Sequence, residues 1–442
     1  MTPRWHSVSV ALVLSVTAVH VATAQPAPAK PDVTVLRAAR LFDGTGERAV
    51  ANGVVIVEGS AIKAVGAGLA VPAGATVIDL GDATLLPGFI DAHTHITGES
   101  GDNWYIDAIS GMRRDVAERA IRATEFARKT LLAGFTTVRN VGADDWIDIG
   151  LRNSINDGVV PGPRILSAGR ALGARGGHCD LGGFPYMLFG KESGIIDGIA
   201  SGPDQFRDAV RIQHKYGADV IKVCATGGVL SLGDAVDSPQ LTQDEMNALV
   251  DEAHRLGLRT AAHAHGAEGA KVAVRAGINS IEHGSFLDDE VLQMMKAKGT
   301  YLVPTLLAGE YAGGRKAKRQ YPPEIAAKAK AAVEARSASF KNALRLGVKI
   351  AFGTDSAVSP HGRNAEEYAL MVDHGMTAAA ALCTGPASAA LLGLDKKLGT
   401  LEAGKQADIV AVPGDVLADV KATEQVAFVM KGGKVFRNDR AK

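Results

Sequence analysis

The 442-residue sequence has no net charge, because 48 lysines and arginines balance 48 aspartates and glutamates. A nucleic-acid binder needs a basic surface to neutralise phosphates, so this balance argues against one. Cysteine is scarce: Cys179, Cys224 and Cys383 are the whole complement. Three is an odd number, and a chain this long can bury a core without staples, so the spacing suggests neither a disulfide framework nor a zinc ribbon. The three read as small buried hydrophobes. After the first 24 residues no stretch is apolar enough to span a bilayer, which takes roughly 20 such residues. Runs of glycine are missing too. The 51 glycines fall at the ends of elements, which excludes collagen-like and low-complexity chains. What remains is a globular protein, its 46% hydrophobic residues too many for a disordered one.

Residues 1–24 have the layout of a secretory signal: Arg4 as the positive n-region, an apolar stretch from Val8 to Val21, and Ala22-Thr23-Ala24 at the cleavage site. Ser9, Ser15, Thr17 and His20 interrupt the apolar stretch and make it a poor membrane anchor. The expectation is an exported protein, periplasmic or secreted, free of the membrane once the signal is removed. The stretch from Gln25 to Asp32, with Pro26, Pro28 and Pro31, reads as a flexible leader.

From Val33 to Leu86 the pattern is short and β-rich, and the chain from 398 to 442 looks alike. Both ends are expected to pair into one small β-sandwich, formed by 25–87 and 398–442. Between 88 and 397 short apolar strands alternate with amphipathic helices. The strand candidates are Phe89–Ala92, Thr136–Asn140, Arg164–Ala168, Val220–Cys224, Thr260–Ala264, Ser280–His283, Tyr301–Pro304 and Lys349–Gly353. Gly134, Gly217, Gly257, Gly277, Gly299 and Gly347 each close a helix before a strand. Thr242 and Glu245 form a capping box ahead of the helix Met246–Leu256. Eight strands alternating with helices over about 300 residues suit a (β/α)8 TIM barrel, with an open doubly wound sheet as the alternative.

The histidines are sorted in the sequence. His93, His95, His178, His263, His265, His283 and His361 fall at strand ends or in the loops after them, where a barrel builds its active-site face. His93 and His95 are two apart on a strand, which puts both rings on one face about 6.5–7 Å apart, a distance one cation can bridge. Nitrogen ligands joined by the carboxylate of Asp355 suit Zn²⁺ or a similar divalent ion. Lys222 lies inside the apolar strand Val220–Cys224, where an unpaired ammonium is costly to bury. A desolvated lysine of lowered pKa can capture CO₂ as a carbamate, an anionic ligand able to bridge two cations. In His263-Ala264-His265 spacing alone does not say which ring is the ligand. Gly227 and Gly228 could turn backbone N–H groups toward a substrate carboxylate. His361, in a loop after the eighth strand, fits the pocket rim or plain surface.

Pro87-Gly88-Phe89-Ile90-Asp91-Ala92-His93-Thr94-His95, Ile221-Lys222, Ala262-His263-Ala264-His265-Gly266, Ile281-Glu282-His283-Gly284 and Gly353-Thr354-Asp355-Ser356 together resemble the signature set of the metal-dependent amidohydrolase superfamily. The C-terminal run from Leu398 to Val410 is similar to that family's return to its β-domain. Having the lysine, the chain resembles the two-metal branch: Xaa-Pro dipeptidases, related carboxypeptidases and ochratoxin-type amidases. The resemblance implies that His93, His95 and Asp355 hold one metal and His263 and His283 the other. Carbamylated Lys222 and a hydroxide would bridge the pair, with Asp355 as general base. It also favours His263 over His265 as ligand, leaves His265 lining the pocket, and makes His178 a substrate contact.

The function expected is hydrolysis of amide bonds in dipeptides or N-acyl amino acids, by a homo-oligomer such as the relatives suggest. Phe184, Tyr186, Met187, Leu188, Phe189 and Tyr311 tilt the expected substrate toward hydrophobic or aromatic side chains. The alternatives are a cyclic amide or lactone opened by the same site, and a non-catalytic scaffold. The scaffold reading fits poorly with six candidate ligands all present.

Overall fold

The computed structural model describes residues 32–440 apart from 181, 184, 186–189 and 191. The proposed signal, most of the leader and five of the six apolar side chains expected around the substrate therefore lie outside the described residues. None of the described helices is long and apolar enough to cross a membrane.

The N-terminal part contributes five strands: β1 (Val33–Leu41), β2 (Val50–Glu58), β3 (Ala61–Ala67), β4 (Thr76–Asp79) and β5 (Ala83–Pro87). The α/β part begins with β6 (Phe89–Thr94), β7 (Phe135–Asn140) and β8 (Arg164–Ser167), followed by the short β9 (Gly173–Ala174) and β10 (Ile199–Ala200). It continues with β11 (Val220–Cys224), β12 (Arg259–Gly266), β13 (Ser280–Phe286), β14 (Tyr301–Val303) and β15 (Lys349–Ile350). The chain closes with β16 (Ile409–Pro413), β17 (Phe428–Lys431) and β18 (Lys434–Asn438).

The two chain ends do meet, but edge to edge. They share one eight-stranded sheet of order β18-β17-β16-β5-β1-β2-β3, with β4 beside β1. The junction is the antiparallel pairing of β5 with β16, from Ile409 against Pro87 to Pro413 against Ala83. Leu36, Val55, Ile62, Leu85, Ile409 and Phe428 give this sheet its own buried cluster. The two chain ends are thus hydrogen-bonded into one continuous sheet, where the sequence suggested a small sandwich.

In the α/β part the parallel strands fall into two ladders, β6-β7-β8 and β11-β12-β13-β14-β15, so the eight strands do not form one unbroken hydrogen-bonded cylinder. Single backbone hydrogen bonds connect the ladders. On one side Leu172 N–H donates to Lys222 O and Cys224 N–H to Leu172 O, both at 2.8 Å. On the other, Ala92 N–H donates to Phe352 O at 2.9 Å and His95 N–H to Ser356 O at 2.8 Å. The ladder breaks where β15 stops at Ile350, short of the expected Gly353, because the segment beyond turns to carry Asp355. The connecting helices behave as the pattern predicts. All six helix-closing glycines, Gly134 to Gly347, have positive φ. Thr242 caps the helix Gln243–Arg255, and its capping box with Glu245 is formed.

Candidate metal centre

Elements far apart in sequence bring their side chains to one cavity of about 270 Å³. Its lining includes His93, His95, Lys222, His263, His283 and Asp355, all six expected ligands, together with His178 and His265. His93 Nε2 and His95 Nε2 lie 3.5 and 3.4 Å from the same oxygen of Asp355. The ring of His283 is 4.8 Å from that of His93 and 4.7 Å from that of His263, centroid to centroid. β12 and β13 run on to Gly266 and Phe286, so His263 and His283 sit inside their strands rather than at the ends.

Each candidate imidazole is tied back on one side. His93 Nδ1 donates to Glu282 Oε2 at 2.7 Å, His95 Nδ1 to Gly142 O at 3.1 Å, and His263 Nε2 to Gly227 O at 3.1 Å. His283 Nδ1 meets the Thr305 hydroxyl at 2.7 Å. A nitrogen that donates outward leaves the other with its lone pair directed inward, the arrangement a metal-binding imidazole needs. His93 Nε2 is buried with no hydrogen-bond partner, and a cation is the partner that chemistry supplies. Burial also keeps the rings neutral: it pushes His95 down to about 4, and His263 and His283 well below the usual imidazole range. A divalent ion therefore fits the His93, His95 and Asp355 donors, whose ligand atoms lie within 4.8 Å of one another.

Lys222 is 3% exposed. Burial lowers its pKa to about 8, against the pull of the Glu282 and Asp355 carboxylates, so a neutral amine is accessible near neutral pH. For Asp355 burial acts upward, but His93, His95 and Lys222 outweigh it and hold the carboxyl well below the ordinary range. Asp355, His283 and Thr305 all have φ between 47° and 71°. That backbone costs a non-glycine residue on the order of 1–3 kcal/mol, and such strain clusters at functional sites.

Three supporting residues were not picked out from the sequence. Glu282 is fully buried and accepts from both His93 and Arg139 Nη2, the latter at 2.8 Å. Burial alone would raise its pKa, yet Arg139 and His93 hold it at about 2. Arg139, also fully buried, donates further to Ala92 O and to Ser280 Oγ. Asp91 accepts from the backbone of His93 and Thr354 and from the side chains of Thr354 and Asn364, joining the first ligand strand to the segment that carries Asp355. The signal was available, since Arg139, Glu282 and Asp91 are charges inside apolar strands, the feature that singled out Lys222.

Other expectations are corrected. The amide of Gly227 donates to Ser238 O and that of Gly228 to Asp234 Oδ2, so neither is free for a substrate carboxylate. Gly228 is small because the His178 ring lies against it, where a Cβ would come within 2.0 Å. Tyr311 is not part of the cavity wall; its helix presents Ala308, Gly309 and Ala312 instead. The described wall holds no Phe, Tyr or Trp, and away from the expected ligands Val229, Leu230, Ala332 and Val333 make it largely aliphatic, with Arg336 as a charged exception. His361 is buried under Phe126 with Nε2 on Gly98 O, away from the cavity. His265 does line it, its Nδ1 2.9 Å from Ser285 Oγ. Cys179 and Cys224 are bonded to each other as a disulfide, their Cα atoms 6.0 Å apart, while Cys383 is free. Spacing could not show this pair, because 45 residues separate its members.

The model of the Amidohydrolase family matches residues 84–436. The chain belongs to the amidohydrolase family. Ochratoxinase of Aspergillus niger is 34% identical over 376 residues, spanning 80% of this chain and 75% of that one. Among solved structures, a Xaa-Pro dipeptidase with methionine bound in its active site is 38% identical with a TM-score of 0.87, covering 92% of this chain and all of that one. The crystal structure of the A. niger ochratoxinase aligns with a TM-score of 0.82 at 31% identity, covering 93% and 97%. These likenesses make the α/β part of this amidohydrolase a TIM-barrel fold, and make the protein a hydrolase of amide or peptide C–N bonds.

Proposed function

We propose that this amidohydrolase is an exported two-metal enzyme that cleaves the amide bond of dipeptides or N-acyl amino acids, in the manner of Xaa-Pro dipeptidases, related carboxypeptidases or ochratoxin A amidases. One observation carries the reading: four imidazoles, each tied back through one nitrogen, line a single cavity with Lys222 and Asp355. His93, His95 and Asp355 would hold one ion, His263 and His283 the other. Two divalent ions, zinc by the nitrogen-rich donor set, would supply an acidified water and an electrophile for the scissile carbonyl.

The remaining steps fall to the chain. The neutral Lys222 amine would attack CO₂ and give up its proton to solvent, and the resulting carbamate would supply an anionic oxygen ligand. Asp355, ionised at rest, would take the proton of the attacking water and deliver it to the leaving amine nitrogen. His178, whose ring stacks 4.3 Å from that of His263, orients the substrate. The aliphatic wall favours an apolar side chain over Arg or Lys. The layout of residues 1–24 supports export, and so does a disulfide, which persists in oxidising compartments.

The test is a panel of Xaa-Pro, Xaa-Phe, Xaa-Arg and N-acyl-Phe compounds, with a cyclic amide and a lactone beside them, assayed with added Zn²⁺ and read by mass spectrometry of the products. Release of a free amine and a free carboxylate on separate molecules, from Xaa-Pro or N-acyl-Phe before Xaa-Arg, is the expected result. Opening only of cyclic amides or lactones would replace the reading with its alternative.

A further inference from the structure

We propose that the Cys179–Cys224 disulfide is a working part of the substrate chamber, holding His178 in position so that substrate binding weakens when the bond opens. The inference rests on the reading above in one respect, that His178 faces the substrate.

Cys224 lies two residues beyond Lys222 on β11, on the same side of the strand, and both line the cavity. Cys179 lines it too and directly follows His178. The bond therefore joins the residue after the proposed substrate contact to the strand of the proposed bridging lysine. Two glycines leave room for this arrangement. A Cβ at Gly173 would come within 2.7 Å of Cys179 Cβ, and one at Gly228 would strike the His178 ring.

Hydrogen bonds hold His178 from the other direction. Its backbone N–H donates to Gln240 Oε1 at 2.9 Å, and its Nδ1 meets Ser231 Oγ at 2.8 Å. Ser231 in turn donates to Asp234 Oδ1 at 2.7 Å, which fixes the hydroxyl as acceptor from the ring. Lys328, from the helix Pro323–Leu346, donates to Asp234 and to Ser231 O. These contacts orient the ring but all come from the 226–240 loop and its support. The disulfide is what ties the His178 segment covalently to the barrel strand. A displacement near 1 Å of a substrate-positioning group is enough to matter.

The experiment compares wild type, wild type reduced with a phosphine, and the Cys179→Ser/Cys224→Ser double variant. Reduction consumes two electrons and two protons and leaves two thiols, so re-oxidation must reverse any effect. Peptide mapping without reductant is expected to find the 179–224 linkage. KM for whichever panel substrate wild type hydrolyses is expected to rise by about tenfold, with kcat changing less and metal content unchanged. The Kd of a non-hydrolysable phosphonate dipeptide, measured by calorimetry, should rise in parallel, and Cys383→Ser should behave as wild type. Absence of the linkage overturns the proposal. So does a change in melting temperature alone, with KM and Kd unmoved at a temperature where the variant is folded. If wild type hydrolyses nothing in the panel, the proposed substrate class fails, and the Kd comparison still decides the role of the disulfide.

Discussion

The two halves of the metal-binding floor are built differently. In the half proposed to hold His93, His95 and Asp355, Glu282 is fully enclosed, paired with Arg139 and bonded to His93, and Asp91 joins the two ligand-bearing segments, while His95 rests on the carbonyl of Gly142. His263 and His283 rest on neutral groups, a backbone carbonyl of Gly227 and the hydroxyl of Thr305, and His283 and Thr305 both adopt left-handed backbone. Charge-assisted hydrogen bonds are roughly twice as strong as neutral ones. The first half thus has a charged support under His93 and the second only neutral ones, while left-handed backbone occurs in both, at Asp355 as well as at His283 and Thr305.

The largest test of the first half is Asp355→Asn. Losing the base and one ligand together should lower kcat by about 10³-fold or more, with the fold intact by circular dichroism. A variant that keeps more than a tenth of wild-type kcat would move the base elsewhere. Lys222→Ala comes next and addresses both halves, because the carbamate would span them. Most activity should be lost and partly recovered by adding a short carboxylic acid, which restores the missing anion without the side chain. Full activity with no added acid would remove the carbamate. Metal analysis of the same preparations should fall from about two equivalents per chain in wild type.

The two halves also differed in how readable they were. The proposed ligands were legible because histidines, a lysine and an aspartate in strands or just after them break an apolar pattern that otherwise needs no polar group. The strand–helix alternation was legible for the same reason, down to the Thr242 cap. Arg139 and Glu282 break the pattern equally, but their meaning lies in a pairing between β7 and β13 that sequence does not display. The disulfide was hidden by an odd cysteine count and a long separation. The sheet at the chain ends shows the limit of composition: alternating residues mark strands, but whether β5 meets β16 edge on or face on depends on register, which alternation leaves open.

The smallest effects compare the supports themselves. Glu282→Gln keeps a hydrogen-bond acceptor for His93 but removes the charge that Arg139 and His93 both face. Metal affinity, read by chelator competition, should fall by about 10–100-fold, the usual range for losing such a support. Thr305→Val removes only the neutral partner of His283 and should cost less than about tenfold in the same assay. Acid titration of metal-free protein separates the two further. The ordinary Glu pKa is 4.5 and that of buried Glu282 is about 2. A carboxyl whose folded pKa is depressed stabilises the fold fully above 4.5, and that stability drains away as pH falls toward 2. Wild type and Thr305→Val should therefore lose urea resistance steeply between pH 4.5 and 3, whereas Glu282→Gln, weaker already at pH 7, should show a flatter slope. Equal slopes in all three would mean that the charge under His93 contributes no more than the hydroxyl under His283, and the contrast between the halves would disappear.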